Sequence, residues 1–133
     1  MTMSNPYQAY QQNSVNTASP GELTLMLYNG CLKFIGIAKK AIEENNIPVK
    51  NENIQKAQNI IHELMVTLNM EVEISKQMMP LYDFARTKLI EANVKNSIES
   101  LEEAETIITE FRDTWKEVLK LNRQKSFSKG GAV

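Results

Sequence analysis

The chain has 133 residues, enough for one domain with its own hydrophobic core, and its 42% hydrophobic and 23% charged residues are ordinary for a globular protein. A net charge of −1 argues against binding to nucleic acid or to an anionic membrane, because both normally require a basic face. The single cysteine, the lack of a secretory signal and the lack of an apolar run of about 20 residues predict a cytoplasmic protein without disulfides or membrane insertion.

The N-terminal segment, residues 1–18, contains no charged side chain and is rich in Gln, Asn, Ser and Thr. It also carries two tyrosines, Tyr7 and Tyr10. Such a segment is too polar for a core and carries too few charges for a typical surface tail, so we expect it to pack on the domain. The alternative is a disordered leader.

The first helix is predicted to start at Ser19, with Pro20 at the first helical position and Glu22 able to complete a capping box. Its apolar residues fall into two neighbouring stripes. The first stripe consists of Leu23, Leu27, Gly30, Phe34, Ile37 and Ala41. The second stripe consists of Leu25, Tyr28, Leu32 and Ile35. Because packing in a bundle requires one stripe per helix, we expect the second stripe to stand partly outside the core, unless the first helix is simply the most central one.

Three more helices follow in the pattern of apolar residues. The second is predicted over residues 51–75 after a break at Pro48, and the third is predicted to start at Pro80 and to end near residues 93–96. A fourth begins after a cap at Asn96 or Ser97. The predicted inner faces are Ile54, Ala57, Ile61, Leu64, Leu68 and Val72 in the second helix, Leu81, Ala85, Leu89 and Ala92 in the third, and Leu101, Ala104, Ile108, Phe111, Trp115 and Val118 in the fourth.

Four helices joined by short loops favour an all-α fold, an antiparallel up-down-up-down four-helix bundle. We expect this bundle to cover residues 19–122, with the N-terminal segment packed on it. Residues 123–133 are predicted to form a flexible tail.

No catalytic machinery is visible in the sequence. A carboxylate-bridged metal pair in a bundle needs Glu-x-x-His on two helices, whereas this chain has one histidine, His62, with no glutamate three positions before it. Cys31 lies on the apolar side of the first helix, where a small buried side chain is expected rather than a nucleophile. The sequence therefore predicts neither an enzyme nor a bound metal or cofactor.

A protein-binding surface is the function that the sequence favours. An exposed second stripe would attract an apolar partner, because burying one such side chain contributes roughly 1.5–3 kcal/mol. Four methionines, Met65, Met70, Met78 and Met79, suit a groove for varied apolar helices, although methionine also fills gaps in cores. The alternative is a homodimerisation or adaptor module whose second stripe pairs with itself.

A set of short motifs also occurs in order over residues 5–120. It consists of Asn5-Pro6-Tyr7-Gln8-Ala9-Tyr10, Ser14-Val15, Thr17-Ala18-Ser19-Pro20-Gly21-Glu22-Leu23, Leu25-Met26-Leu27-Tyr28-Asn29-Gly30-Cys31, Asn59-Ile60-Ile61 with Leu64, Leu81-Tyr82-Asp83-Phe84, Leu89 with Ala92-Asn93, and Trp115-Lys116. No motif is diagnostic alone, but the ordered set resembles the flagellar secretion chaperone family (FliS). The chain departs from the family at Phe84, where a second tyrosine is common, and at Thr87-Lys88, where a basic pair is usual.

The resemblance implies a cytosolic helical bundle that binds the disordered C-terminal segment of flagellin and prevents its premature polymerisation. The complex would then pass to a component of the flagellar export gate, with a weak homodimer as one possible unloaded state. The family's N-terminal segment adjoins the binding surface, so the candidates combine its tyrosines with the second stripe and with residues of later helices. The candidate flagellin-binding residues are Tyr7, Tyr10, Leu25, Tyr28, Leu32, Ile35, Met65 and Tyr82.

Overall fold

The computed structural model of the protein describes residues 19–132, with side chains described up to Arg123. Four α-helices follow in order: α1 (Pro20–Glu43), α2 (Ile47–Val66), α3 (Glu73–Lys95) and α4 (Ile98–Ala132). No strand occurs within this range. The prediction of an all-α four-helix bundle is confirmed, whereas the predicted packing of the N-terminal segment lies outside the described residues.

Polar side chains begin three of the four helices by accepting hydrogen bonds from the backbone N–H groups that a first turn leaves unpaired. Ser19 Oγ accepts from the Glu22 N–H at 3.2 Å, and Pro20 follows at the first helical position, as predicted. Asn46 Oδ1 accepts from the Val49 N–H at 3.3 Å at the start of α2. Ser97 Oγ accepts from the Ser100 N–H at 3.1 Å, so Ser97 is the residue that caps α4.

Pro48 and Pro80 do not mark the helix boundaries that were predicted from them. Pro48 lies inside the first turn of α2, where a proline removes no intrahelical hydrogen bond, so this helix starts at Ile47. Pro80 lies inside α3, whose first residue is Glu73. Because Pro80 has no backbone N–H, the Lys76 carbonyl lacks its usual helical hydrogen bond. Both residues are exposed, so water can replace that hydrogen bond.

The loop between α2 and α3 interrupts what was predicted as one helix over residues 51–75. The helix ends at Val66, and Asn69 Oδ1 accepts from the Glu71 N–H at 3.0 Å in a local turn that competes with helical hydrogen bonding. Leu68 still packs on the core, but Val72 is exposed because it belongs to the loop rather than to the inner face of α2.

The core face of α1 is wider than predicted. Its buried residues are Leu27, Tyr28, Cys31, Phe34, Ile35, Ala38 and Ala41. The two predicted stripes are therefore the two edges of one broad face that is centred on Cys31. The expectation that the second stripe stands outside the core is wrong for Tyr28 and Ile35, because α1 packs between α2 and α4 and needs both edges. Ile37, which was assigned to the first stripe, lies at the exposed margin.

Contacts along the helices show that neighbours run antiparallel. Near the start of α1, Trp115 Nε1 donates to the Gly21 carbonyl at 2.8 Å, and near its end Lys39 Nζ contacts Glu105 Oε1 at 3.0 Å. Lys88 of α3 likewise contacts Glu103 near the start of α4 at 3.4 Å. The α4 helix continues beyond residue 122 to Ala132, and the flexibility predicted for residues 123–133 stays a prediction.

Candidate functional site

Three of the predicted flagellin-binding residues lie in the core. Tyr28, Ile35 and Tyr82 are 2%, 0% and 1% exposed. The hydroxyls of Tyr28 and Tyr82 share a hydrogen bond of 2.5 Å across the bundle. In this conformation none of the three is exposed for direct docking of a partner. The predicted position of Tyr28 and Ile35 partly outside the core is therefore wrong.

The two buried tyrosines form an aromatic cluster with Phe111. Its ring stacks on Tyr28 with centroids 6.2 Å apart and lies 4.9 Å from the ring of Tyr82. Burial raises the pKa of both hydroxyls, because the phenolate form loses its solvation inside the bundle. The cluster ties α1, α3 and α4 together and so supports the outer faces without forming part of them.

The remaining described candidates lie at the margin of the core. Leu25, Leu32 and Met65 are half-buried, and Leu32 and Met65 pack against the core cluster. Each leaves part of its side chain open to a partner. The structure thus keeps these three available for binding, while Tyr7 and Tyr10 lie outside the described residues.

A groove of about 480 Å³ runs between the outer side of α1 and the C-terminal half of α4. Its apolar lining comes from Leu25, Met26 and Leu119. At its base the helices approach so closely that a Cβ at Gly21 would lie 2.6 Å from Leu119 Cδ2. A glycine at this position therefore permits the close approach, and the Trp115 hydrogen bond to the Gly21 carbonyl fixes it.

The outer side of α3 carries apolar residues that the sequence analysis did not single out as a surface. Phe84 is 41% exposed, Ile90 46% and Val94 77%. Leu81, predicted to face inward, is 43% exposed, and Tyr82 takes the inner position instead. The other predicted inner residues of α3, Ala85, Leu89 and Ala92, are fully buried, so only the first position of that face was misplaced.

The cysteine and the histidine, which could in principle take part in catalysis or metal binding, lie in different environments. The Cys31 thiol is fully buried, donates to the Ala57 carbonyl at 3.8 Å, and burial raises its pKa to about 12, which suppresses the thiolate form. His62 is exposed on α2. Within residues 19–123, no group of three or more His, Cys, Asp or Glu side chains could hold a metal ion.

Ion pairs and one buried lysine join the helices. Lys39 of α1 bridges Glu105 and Glu102 of α4, and its hydrogen bond to Glu105 raises the pKa of the lysine. Lys50 is 3% exposed and donates to the Asn93 carbonyl at 2.9 Å and to Asn96 Oδ1. These contacts hold one end of the bundle closed, because the ammonium group loses its water only where oxygen acceptors replace it.

Comparison with known proteins shows to which family the chain belongs. The profile of the family described as Flagellar protein FliS matches residues 3–122. The chain belongs to the FliS family. A Bacillus subtilis (strain 168) protein named Flagellar secretion chaperone FliS is 54% identical over 131 residues, which cover 98% of each chain. The FliS proteins of Vibrio cholerae and Escherichia coli K12 are 36% and 34% identical, over 84% of this chain in both cases and 86% and 88% of their own lengths.

A solved structure of a flagellar chaperone from bacteria matches the FliS fold of this chain. The TM-score is 0.71, and the match covers 86% of this chain and 95% of the other at 19% identity, so it supports the fold alone. FliS relatives are chaperones, which confirms that this chain is not an enzyme. No helix among the described residues is both long and apolar enough to span a membrane.

Proposed function

We propose that this chain is a flagellin-specific export chaperone that acts in the cytosol. It binds the disordered C-terminal segment of flagellin, prevents premature polymerisation and delivers the cargo to a component of the flagellar type III export gate. The observation that carries the proposal is the 54% identity with the Bacillus subtilis flagellar secretion chaperone over almost the whole of both chains.

The described bundle suits a stoichiometric binding role. Its core is closed by large buried side chains and the Tyr28–Tyr82 contact, so most of the ordering on binding falls on the disordered partner. A partner segment with apolar residues every three or four positions can fold as a helix against the half-buried margin of α1. Burying those residues offsets the entropy that the segment loses on folding.

The candidate site is accordingly narrower than the sequence predicted. Leu25 lines the groove with residues of α4, Leu32 lies seven residues further along the same side of α1, and Met65 lies near the end of α2. We propose these three as direct contacts, together with Tyr7 and Tyr10 of the N-terminal segment. The buried Tyr28, Ile35 and Tyr82 hold the helices beneath this surface.

A polymerisation assay tests the function. Monomeric flagellin seeded under polymerising conditions should stay monomeric when an equimolar amount of this protein is present. Flagellin that lacks its C-terminal segment should not bind, as measured by co-elution in size-exclusion chromatography. Filament growth at the same rate with and without the protein, and no co-elution with intact flagellin, would refute the proposal.

Two matched charge variants test the site. Leu32→Glu places a carboxylate where a partner must desolvate it and should weaken flagellin binding about tenfold or more. Val94→Glu places the same charge on the exposed side of α3 and should leave binding unchanged. A thermal melt shows whether each variant is folded, and Leu25→Glu provides a second test should Leu32→Glu lose stability. If Val94→Glu weakened flagellin binding and Leu32→Glu did not, the binding site would lie on α3.

A further inference from the structure

We propose that the groove between α1 and α4 binds an amphipathic segment of a partner protein that carries carboxylates beside an apolar face. The groove is lined by Leu25, Met26 and Leu119, and three cations border it, Lys116, Lys120 and Arg123. The proposal concerns the chemistry of the occupant and does not rest on flagellin being the cargo. It assigns a role to the basic end of α4, which the chaperone function leaves unexplained.

The three cations share one side of α4. They are spaced by four and three residues, so they lie on successive turns about 5–6 Å apart, and all three are exposed. A helical partner with carboxylates at the same spacing could pair with each of them. Its apolar residues would meet the half-buried Leu25, Met26 and Leu119 between the two helices.

These cations differ from several others on the bundle, and, unlike the similarly unpaired Lys33 and Lys40, they line the groove. Lys39, Lys56 and Lys88 each contact at least one carboxylate of the chain. Among the described residues, Lys116, Lys120 and Arg123 form no such ion pair. Residues 116–133 contain five lysines or arginines and one glutamate, although the whole chain has a net charge of −1. Three of these five cations line the groove.

Two carboxylates also line the groove, and they limit what can bind there. Glu22 accepts from Ser19 Oγ at 3.3 Å in the first turn of α1, where the helix dipole favours a negative charge. Glu117 lies among the cations of α4. The groove thus has a small excess of positive charge over an apolar floor, which suits a segment with a few carboxylates better than a nucleic acid or an anionic membrane.

Other occupants from the chain itself fit less well. The N-terminal segment joins the bundle at Ser19, three residues before Glu22 of the groove, but residues 1–18 contain no carboxylate side chain for the three cations. The acidic first turns of α4 in a second copy are partly engaged, since Glu102 contacts Lys39 and Glu103 contacts Lys88. A separate partner protein remains as the source of the carboxylates.

A designed peptide tests the proposal with the full chain. The probe is a fluorescein-labelled amphipathic helix of about 18 residues, with leucines on one face and glutamates beside them at spacings of four and three. A matched peptide carries glutamine in place of each glutamate. By fluorescence anisotropy, the glutamate peptide should bind about tenfold tighter, and the difference should shrink as salt is added.

Charge reversal locates the interaction. Lys116→Glu with Lys120→Glu should lower affinity for the glutamate peptide about tenfold or more. The matched double variant Lys33→Glu with Lys40→Glu changes two exposed lysines of α1 outside the groove and should bind like the wild type. All four side chains are exposed and form no ion pair with the described part of the chain, so circular dichroism should show folded proteins with similar melts.

Several results would overturn the proposal. Equal binding of the glutamine peptide, or equal loss in both double variants, would show that the groove cations do not select carboxylates. A gain in affinity on deleting residues 1–18 would make the N-terminal segment the occupant. Tighter binding to phosphatidylserine vesicles or duplex DNA than to the peptide, lost in the groove variant alone, would make the site a general polyanion surface.

Discussion

Helices α1 and α3 contact the same two neighbours and contain similar apolar residues, yet they use them in opposite ways. The inner face of α1 carries large side chains, among them Tyr28 and Ile35, and buries them. The inner face of α3 includes small residues such as Ser75, Ala85 and Ala92. The larger Phe84 and Ile90 lie on the outer side of this helix and are exposed. The two helices lie diagonally opposite each other and meet at the Tyr28–Tyr82 hydroxyl pair. Apolar character alone therefore does not decide which side chains enter the core.

The largest effect should come from shortening a buried side chain of α1. Ile35→Ala should lower the free energy of unfolding by about 2–5 kcal/mol, because Ile35 is fully buried and its loss leaves a cavity. Ile90→Ala on α3 is the matched control, with a change within about 0.5 kcal/mol expected for an exposed site. Urea denaturation of both variants provides the measurement. Similar losses of stability in the two variants would contradict the distinction between a buried side of α1 and an exposed side of α3.

The hydroxyl pair that joins α1 to α3 should give the next largest effect. Tyr82→Phe leaves the buried Tyr28 hydroxyl without its partner and should cost about 1–3 kcal/mol of stability. The double variant with Tyr28→Phe as well should cost less than the sum of the two single changes, because it leaves no hydroxyl unpaired. Strict additivity in a double-mutant cycle would show that the hydrogen bond does not couple the helices.

Alkaline pH should loosen the same region. Burial raises the pKa values of Tyr28 and Tyr82 above the ordinary 10.0, and that of Cys31 to about 12 from 9.0. A raised pKa means that folding favours the protonated form of the group. The group's contribution to stability is therefore complete below the pKa of the unfolded state, and it is lost as the pH rises from that value through the pKa of the folded state. The free energy of unfolding should therefore fall as pH increases above about 9.

One single and one double variant separate the contributions to this pH dependence. Cys31→Ala should remove the part that starts near pH 9, and Tyr28→Phe with Tyr82→Phe should remove the part that starts near pH 10. Urea titrations at a series of pH values give the slopes. A slope that is unchanged in all of these variants would place the sensitive groups elsewhere.

The smallest expected effect is on the exposed side of α1. Nothing lies within 4 Å of a Cβ built at Gly36, so Gly36→Ala should raise stability by about 0.5–1 kcal/mol through helix propensity alone. Gly21→Ala is the contrasting change, because its Cβ would require Leu119 to move. A thermal melt of the two variants checks the difference. A loss on Gly36→Ala would mean that this side of α1 is covered.

Much of the fold could be predicted from the sequence because its signals are local. The cap at Ser19, the end of α3 near Asn96 and the buried positions Ile54, Ile61 and Leu101 follow from capping chemistry and helical periodicity.

The misplaced parts depend on contacts between distant residues. Whether Pro80 begins a helix or lies within one depends on whether solvent reaches the carbonyl that it leaves unpaired. The burial of Tyr82 in place of Leu81 depends on its contact with Tyr28 across the core. The expectation that the second stripe of α1 stands partly outside the core rests on one stripe per helix. In this bundle the contact between α1 and α2 is more extensive than that of any other helix pair, and α1 also contacts α4. The sequence of a single helix does not reveal how extensive such contacts are.

The central claim is that a disordered flagellin segment folds on the outside of an intact bundle, and a titration of the C-terminal flagellin peptide into this protein tests it most directly. Circular dichroism of the mixture should show more helix than the sum of the separate spectra, and calorimetry should give saturable binding with a negative heat-capacity change. Far-ultraviolet spectra that simply add, with no heat of binding at any temperature, would contradict the claim.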